Sequence, residues 1–213
     1  MSRPAGTASS MPWELRARAA AAPGFLDEAE GLALYELALT ALPRGPVVEV
    51  GSYCGKSTIY LGAAARERGG LVVTIDHHRG SEEHQPGEEY HDPALAGPDG
   101  RVDTLPALRR TIVDAGLEDV VMVVVGRSAT VASLWERPLG MVFVDAGHTE
   151  EAAQGDYAAW MPLLLPGGLL VVHDVFEDPR DGGRAPYHVY LRALGDGFAE
   201  VLRVGSLRAL ERR

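Results

Sequence analysis

The sequence predicts an α/β fold: a doubly wound, mostly parallel sheet of seven strands that ends in an antiparallel hairpin. Three observations carry this. Continuous apolar runs recur at 46–50, 71–75, 120–125, 140–144 and 169–172, and strands buried on both faces read in this way. Helical segments fit between them at 55–68, 104–115, 128–135 and 149–162, and such a βαβα order implies a parallel sheet with helices packed on it. The tail 198–211 reads as two strands joined around Gly205-Ser206.

The elements follow in order. Residues 1–10 are small and polar and are expected to form a disordered arm, with the folded domain spanning 11–213. Helical patterns occupy 12–22 and 26–42, the second with Leu32, Leu34, Tyr35, Leu37, Ala38 and Leu42 as its apolar stripe. The Rossmann-like alternation starts at 46–50 and runs to 169–172. One segment breaks it. From His77 to Asp103 there is no apolar period, only Gly, Pro, carboxylates and four histidines. Loops of that length inside compact domains are usually functional or disordered; this one is expected to form a lid and acceptor pocket, a solvated acidic loop being the alternative.

At 213 residues, 46% hydrophobic and 23% charged, the chain has the composition of a single globular domain. A net charge of −10, with Lys56 as the only lysine, argues against nucleic-acid binding, which depends on clustered cations. Cys54 stands alone, so an intrachain disulfide or cysteine-based metal site is excluded. With no apolar run near 18 residues and no secretory signal pattern, no membrane partner is expected and the cytoplasm is the expected location. A homodimer is compatible with the sequence.

The segment from Val47 to Thr58 is the most informative. It reads as a buried strand, an acidic residue, a glycine turn and a helix start. Backbone amides at such a turn approach a ligand closely, since glycine lacks a Cβ. Glu49 would repel a phosphate but attract the cationic amino end of an amino-acid-like ligand. A P-loop needs four residues between its glycines, whereas 52–54 are three; the dinucleotide fingerprint fails at Tyr53.

Ligands of open α/β sheets sit beyond the carboxyl ends of the strands, and each predicted strand here ends in polar residues. Asp76 ends the second, where a carboxylate can accept both ribose hydroxyls. Gly126-Arg127-Ser128 follows the third, where an adenine would lie; a helix N-cap explains Ser128 equally well. Asp145-Ala146-Gly147-His148 follows the fourth, and His173-Asp174 the fifth.

Glu-x-Gly-x-x-x-Gly is the pattern by which class I methyltransferases hold S-adenosylmethionine (SAM), and Val47–Ser57 is similar to the corresponding segment of catechol O-methyltransferases. Phe143-Val144-Asp145 and the run from Pro166 to Asp174 resemble the metal-bearing strands of cation-dependent small-molecule and sugar O-methyltransferases. The wording of the 77–85 segment resembles actinobacterial sugar methyltransferases, among them the 1-O-methyltransferase of methylmannose polysaccharide assembly.

The resemblance implies SAM as cofactor, held by Glu49, Gly51, Ser52, Tyr53, Ser57, Asp76, His77, Ser128 and Asp145. It also implies Mg²⁺ or Mn²⁺ on Asp145 and the His173-Asp174 pair. A histidine departs from the acidic pair of that family and suits softer ions. His148 stands where catechol-type enzymes place a basic lysine, and a neutral imidazole can take a proton near pH 7; capping of the helix 149–162 is the alternative role. The implied acceptor is a hydroxyl of a small molecule, a sugar or an oligosaccharide. A nicotinamide oxidoreductase would share the sheet and Asp76, and a non-catalytic SAM-binding protein would need neither Asp145 nor His148.

Overall fold

A computed structural model describes residues 10–88, 90–145, 147 and 149–213. The terminal arm expected over 1–10 lies outside them except for Ser10. So does His148.

Seven strands form one sheet in the order β3-β2-β1-β4-β5-β7-β6. Strands β1 (Val47–Val50), β2 (Val72–Asp76), β3 (Val121–Val125), β4 (Leu139–Val144) and β5 (Leu164–Val172) are parallel. Strand β7 (Leu207–Glu211) runs antiparallel to both β5 and β6 (Ala199–Val204). The expected hairpin is therefore present, turning at Gly205-Ser206. The positive φ of 52° at Gly205 suits the first turn position of a two-residue hairpin loop, where a Cβ would be strained.

Side chains on a strand alternate between faces, so the parallel strands feed two cores. Val47 joins a core with Leu34, Ile59 and Leu108 from α2 (Glu28–Ala41), α3 (Lys56–Arg68) and α4 (Leu105–Ala115), against which α1 (Trp13–Ala21) also packs. Val48 and Val50 join the other, with Ala132, Tyr157 and Val189 from α5 (Ser128–Ala132), α6 (Glu150–Trp160) and α7 (Ala185–Gly195). Helix α2 lies against α3 closely enough that a Cβ on Gly31 would run into the Tyr60 ring.

The register fixes where the site can be. Val50 pairs with Ile75 and with Val144, Val144 pairs with Val172, and Asp76 pairs with Val125. The residues that follow these strand ends therefore leave the sheet at one edge.

Two elements differ from expectation. Helix α7 was not read from the sequence, because the Asp-, Pro- and Gly-rich stretch before it gives no periodic signal. The 77–103 segment is not structureless: it holds short 3₁₀ turns at Glu82–His84 and Pro93–Leu95 and a bridge from Ala96 to Val102.

Candidate active site

Beyond the aligned strand ends lies a cleft of about 610 Å³. Its wall includes Gly51, Tyr53, Asp76, His77, Ser128 and Asp145 from the predicted set. The turn after β1 is bent by positive φ at Gly51 (91°), Tyr53 (45°) and Gly55 (93°). It is tied down by Asp76, whose Oδ2 accepts from the amides of Ser52 (3.1 Å) and Tyr53 (3.0 Å). The Asp76 Oδ1 accepts from the amide of His78 at 2.7 Å. A carboxylate offers about four acceptor positions, so Asp76 keeps little more than one for a ligand hydroxyl.

Glu49, Ser52 and Ser57 are buried and form no part of that wall. Glu49 shares the strand face of Val47, toward α3, and its Oε2 accepts from the Thr58 hydroxyl at 2.6 Å. Among the described residues its Oε1 has no hydrogen-bond partner. Burial pushes this carboxyl up to about 7, although the neighbouring hydroxyls of Ser57, Thr58 and Thr74 act in the opposite direction. Glu49 is thus a buried acceptor with one oxygen unused. Ser52 offers its amide to Asp76 rather than a side chain to the cleft.

Asp145, at the tip of β4, belongs to the cleft and to a second group. His173 Nδ1 lies 3.0 Å from Asp145 Oδ1 and 3.3 Å from Asp174 Oδ1, and its Nε2 lies 3.0 Å from Glu30 Oε2. Carboxylates flank both ring nitrogens, which favours the imidazolium. Burial alone would lower the His173 pKa. The charge of Asp145 and the hydrogen bonds to Asp145, Asp174 and Glu30 outweigh it and raise it to about 12. Asp174 takes a positive φ of 56°, a costly conformation for a residue with a side chain.

Glu30, on α2, was missed as a site residue. Its Oε1 accepts from the amide (2.7 Å) and hydroxyl (2.9 Å) of Ser206, and its Oε2 from the amide of Asp27 (3.2 Å). Burial raises its pKa, but His173 and the Ser206 donors bring it down to about 2. Three residues after Asp27, it reads as an ordinary helix-start glutamate, which hides its role.

The cleft wall also takes residues that sequence reasoning did not single out: His84, Thr149, Glu151, Gly155 and Asp156. At its mouth four rings meet. Phe25 lies 6.0 Å from Tyr53 and 5.1 Å from Tyr90, and Tyr53 lies 5.1 Å from His84, centroid to centroid. Phe25 is 63% exposed.

A family model described as a methyltransferase domain matches residues 48–175. Among solved structures, the chain is similar to the O-methyltransferase TomG from Streptomyces achromogenes, solved in complex with SAM. That match has 21% identity, covers 94% of this chain and 90% of the other, and has a TM-score of 0.64. The O-methyltransferase from Bacillus cereus, in complex with SAH (S-adenosylhomocysteine), matches at 20% identity over 98% and 94%, with a TM-score of 0.61. The SAH-bound methyltransferase PaMTH1 of Podospora anserina matches at 16% over 94% and 87%, with a TM-score of 0.66. These likenesses establish the fold, and the family model covers more than half of the chain and all five tips of the parallel strands. The expected oxidoreductase alternative is set aside: the chain belongs to the methyltransferase-domain family and carries the class I, SAM-dependent methyltransferase fold.

Proposed function

We propose that the protein transfers the methyl group of SAM to a hydroxyl of a carbohydrate or similar small molecule, with a divalent cation at Asp145, His173 and Asp174. The observation that carries this is the double membership of Asp145. It lines the cleft at the β4 tip and also faces His173 and Asp174.

The cofactor reading assigns one ribose hydroxyl to Asp76, whose other acceptor positions are taken by the Ser52, Tyr53 and His78 amides. It assigns the adenine to the loop at Gly126–Ser128 and the cationic amino group to Glu49, whose Oε1 is a buried acceptor with no hydrogen-bond partner among the described residues. The donor set suits a cation that would displace the Nδ1 proton of His173 on binding. One ligand atom each from Asp145, His173 and Asp174 lie within 4.8 Å of one another. Glu30 faces Nε2 from behind, as carboxylates behind metal-ligating histidines do, leaving Nδ1 toward the two aspartates. An imidazole among the donors favours Mn²⁺ over Mg²⁺. A bound cation would lower the pKa of an acceptor hydroxyl and orient it.

The acceptor reading rests on the mouth of the cleft. Exposed rings at Phe25 and Tyr90 offer flat apolar faces, while Glu82 and Glu151 line the wall nearby. Rings with carboxylates suit a neutral polyol and repel an anionic acceptor. The segment 77–103 then serves as lid and acceptor pocket. His148 takes the hydroxyl proton as the oxygen forms its bond to the methyl carbon and the C–S bond breaks, releasing SAH.

Mass spectrometry of neutral glycans incubated with SAM tests this. A gain of one methyl on a hydroxyl is expected, with kcat falling roughly 10²–10⁴-fold in His148→Ala. SAM binding without turnover on any hydroxylated acceptor would instead favour a non-catalytic SAM-binding protein.

A further inference from the structure

The two edges of the sheet are built differently. At one, β6 carries Glu200 and Arg203 and a register irregularity between Glu200 and Leu202. Charges and bulges of this kind keep an edge strand from pairing with another chain. At the other edge, β3 reads Val-Met-Val-Val-Val, with no charge, no proline and no irregularity against β2. Met122 is 52% exposed and Val125 56%.

The hydrogen bonds along β3 show which of its backbone groups are open. The Val72 amide donates to the Val120 carbonyl (2.9 Å) and the Gly126 amide to the Asp76 carbonyl (3.0 Å). By strand alternation, Val120, Met122, Val124 and Gly126 turn their backbone groups to β2, while Val121, Val123 and Val125 turn theirs outward. The Val121 amide is taken by the Leu117 carbonyl at 3.0 Å. Among the described residues, the amides of Val123 and Val125 and the carbonyls of all three are left without a backbone partner.

We propose that β3 pairs antiparallel with β3 of a second copy of this chain, about a two-fold axis at Val123. The pairing does not depend on the chemistry assigned to the cleft. An edge strand is complementary to its own reversed copy, so one such contact closes the assembly as a dimer. Each Val123 amide then donates to the other copy's Val123 carbonyl, and each Val125 amide to the Val121 carbonyl of the partner subunit. Charge selects this register. Asp119 and Arg127 are both exposed and stand four residues before and after Val123. Pairing about Val123 therefore sets Arg127 opposite Asp119 of the partner subunit at both ends of the contact, and covers Met122 and Val125. Arg127 also lines the cleft with Gly126 and Ser128, so the partner's carboxylate would brace one end of the site.

Sedimentation velocity on the full chain tests this. At about 50 μM, enough to assemble a dimer of micromolar Kd, wild type should sediment with twice the mass of one chain. Val123→Pro removes the central outward amide and leaves the β2 ladder intact, as edge strands allow, and should halve that mass. Asp119→Arg sets like charges opposite each other and should do the same; adding Arg127→Asp should restore the dimer. Under oxidation, Val123→Cys should link to its copy across the axis, since paired Cα atoms about 5.5 Å apart suit a disulfide. Val201→Cys, on β6, should not, and the native Cys54 is buried. A monomeric wild type overturns the pairing, as does a folded Val123→Pro or Asp119→Arg that stays dimeric. If Val123→Pro does not fold, a dimeric Val123→Cys that fails to link overturns it instead.

Discussion

At the residue scale, Glu49 and Glu30 are two buried glutamates with opposite electrostatics. Glu49 is desolvated, and with the charge of Asp145 this outweighs the hydroxyls of Ser57, Thr58 and Thr74 and pushes its carboxyl up to about 7. A cationic amino group arriving there prefers the ionised form. SAM affinity should therefore rise as pH rises through about 7, and Glu49→Gln should lose that dependence and bind roughly tenfold or more weakly. Titration calorimetry from pH 5.5 to 8.5 measures both. The stability consequence has the opposite sign. A carboxyl raised from 4.5 to about 7 holds its proton more tightly folded than unfolded, so folding loses up to roughly 3 kcal/mol as pH climbs through that window. Glu49→Gln should then melt at a higher temperature than wild type at pH 8. An equal or lower melting temperature would mean that the carboxylate is not strained by burial.

Glu30 is the reverse case, lowered to about 2 by His173 and the Ser206 donors. Its contribution is present above about 4.5 and lost as pH falls toward 2. That of His173, raised to about 12, is complete below 6.5 and lost as pH rises toward 12. Glu30→Ala leaves an imidazolium and the Ser206 amide without their partner and should cost about 3–5 kcal/mol. Urea denaturation at pH 6 checks the magnitude. A loss under 1 kcal/mol would mean that the buried pair is not charged.

At the scale of elements, legibility followed period. The five parallel strands were readable as continuous apolar runs, although only the inner ones owe this to burial on both faces, since β3 lies at the sheet edge with Met122 and Val125 exposed. The hairpin was readable because Gly205 permits its turn. Helix α7 follows a stretch from 174 to 184 dominated by Asp, Gly and Arg, and nothing there announces a helix. The 77–103 segment was legible only as an exception, because its order comes from contacts distant in sequence. His84 and Tyr90 meet Phe25, which precedes α2, and Tyr53 in the turn after β1. If that cluster is the acceptor wall, Phe25→Ala should raise the acceptor KM roughly 3–10-fold, the loss of one stacking face. SAM affinity and melting temperature should stay unchanged, since Phe25 is largely exposed. An unaltered KM would remove the ring from the acceptor pocket.

At the scale of the whole molecule, the polar strand ends were visible in sequence, and their alignment follows from parallel register alone. What ties them to the rest of the chain was not visible. Glu30 lies 143 residues before His173 and 176 before Ser206, and no local pattern encodes such pairings. The same connection makes the cation reading measurable on the intact protein. Asp145 follows β4, His173 and Asp174 follow β5, Glu30 comes from α2 and Ser206 from the hairpin turn, so an ion at the first three reinforces a junction of four elements. A ligand that binds only the folded state stabilises it by about 2.7 kcal/mol at 100 times its Kd. For a chain of this size, that is a rise of roughly 5–11 °C in Tm. Mn²⁺ should produce this shift in wild type and not in Asp145→Asn, and EDTA should abolish both the shift and methyl transfer. Asp145→Asn keeps the side-chain shape, and its amide can still pair with His173, so loss of the shift there reports the ligand rather than a collapsed site. Wild type that neither shifts with Mn²⁺ nor loses turnover in chelator would leave the His173 imidazolium as the only cation between the two aspartates, and transfer would then proceed without a metal.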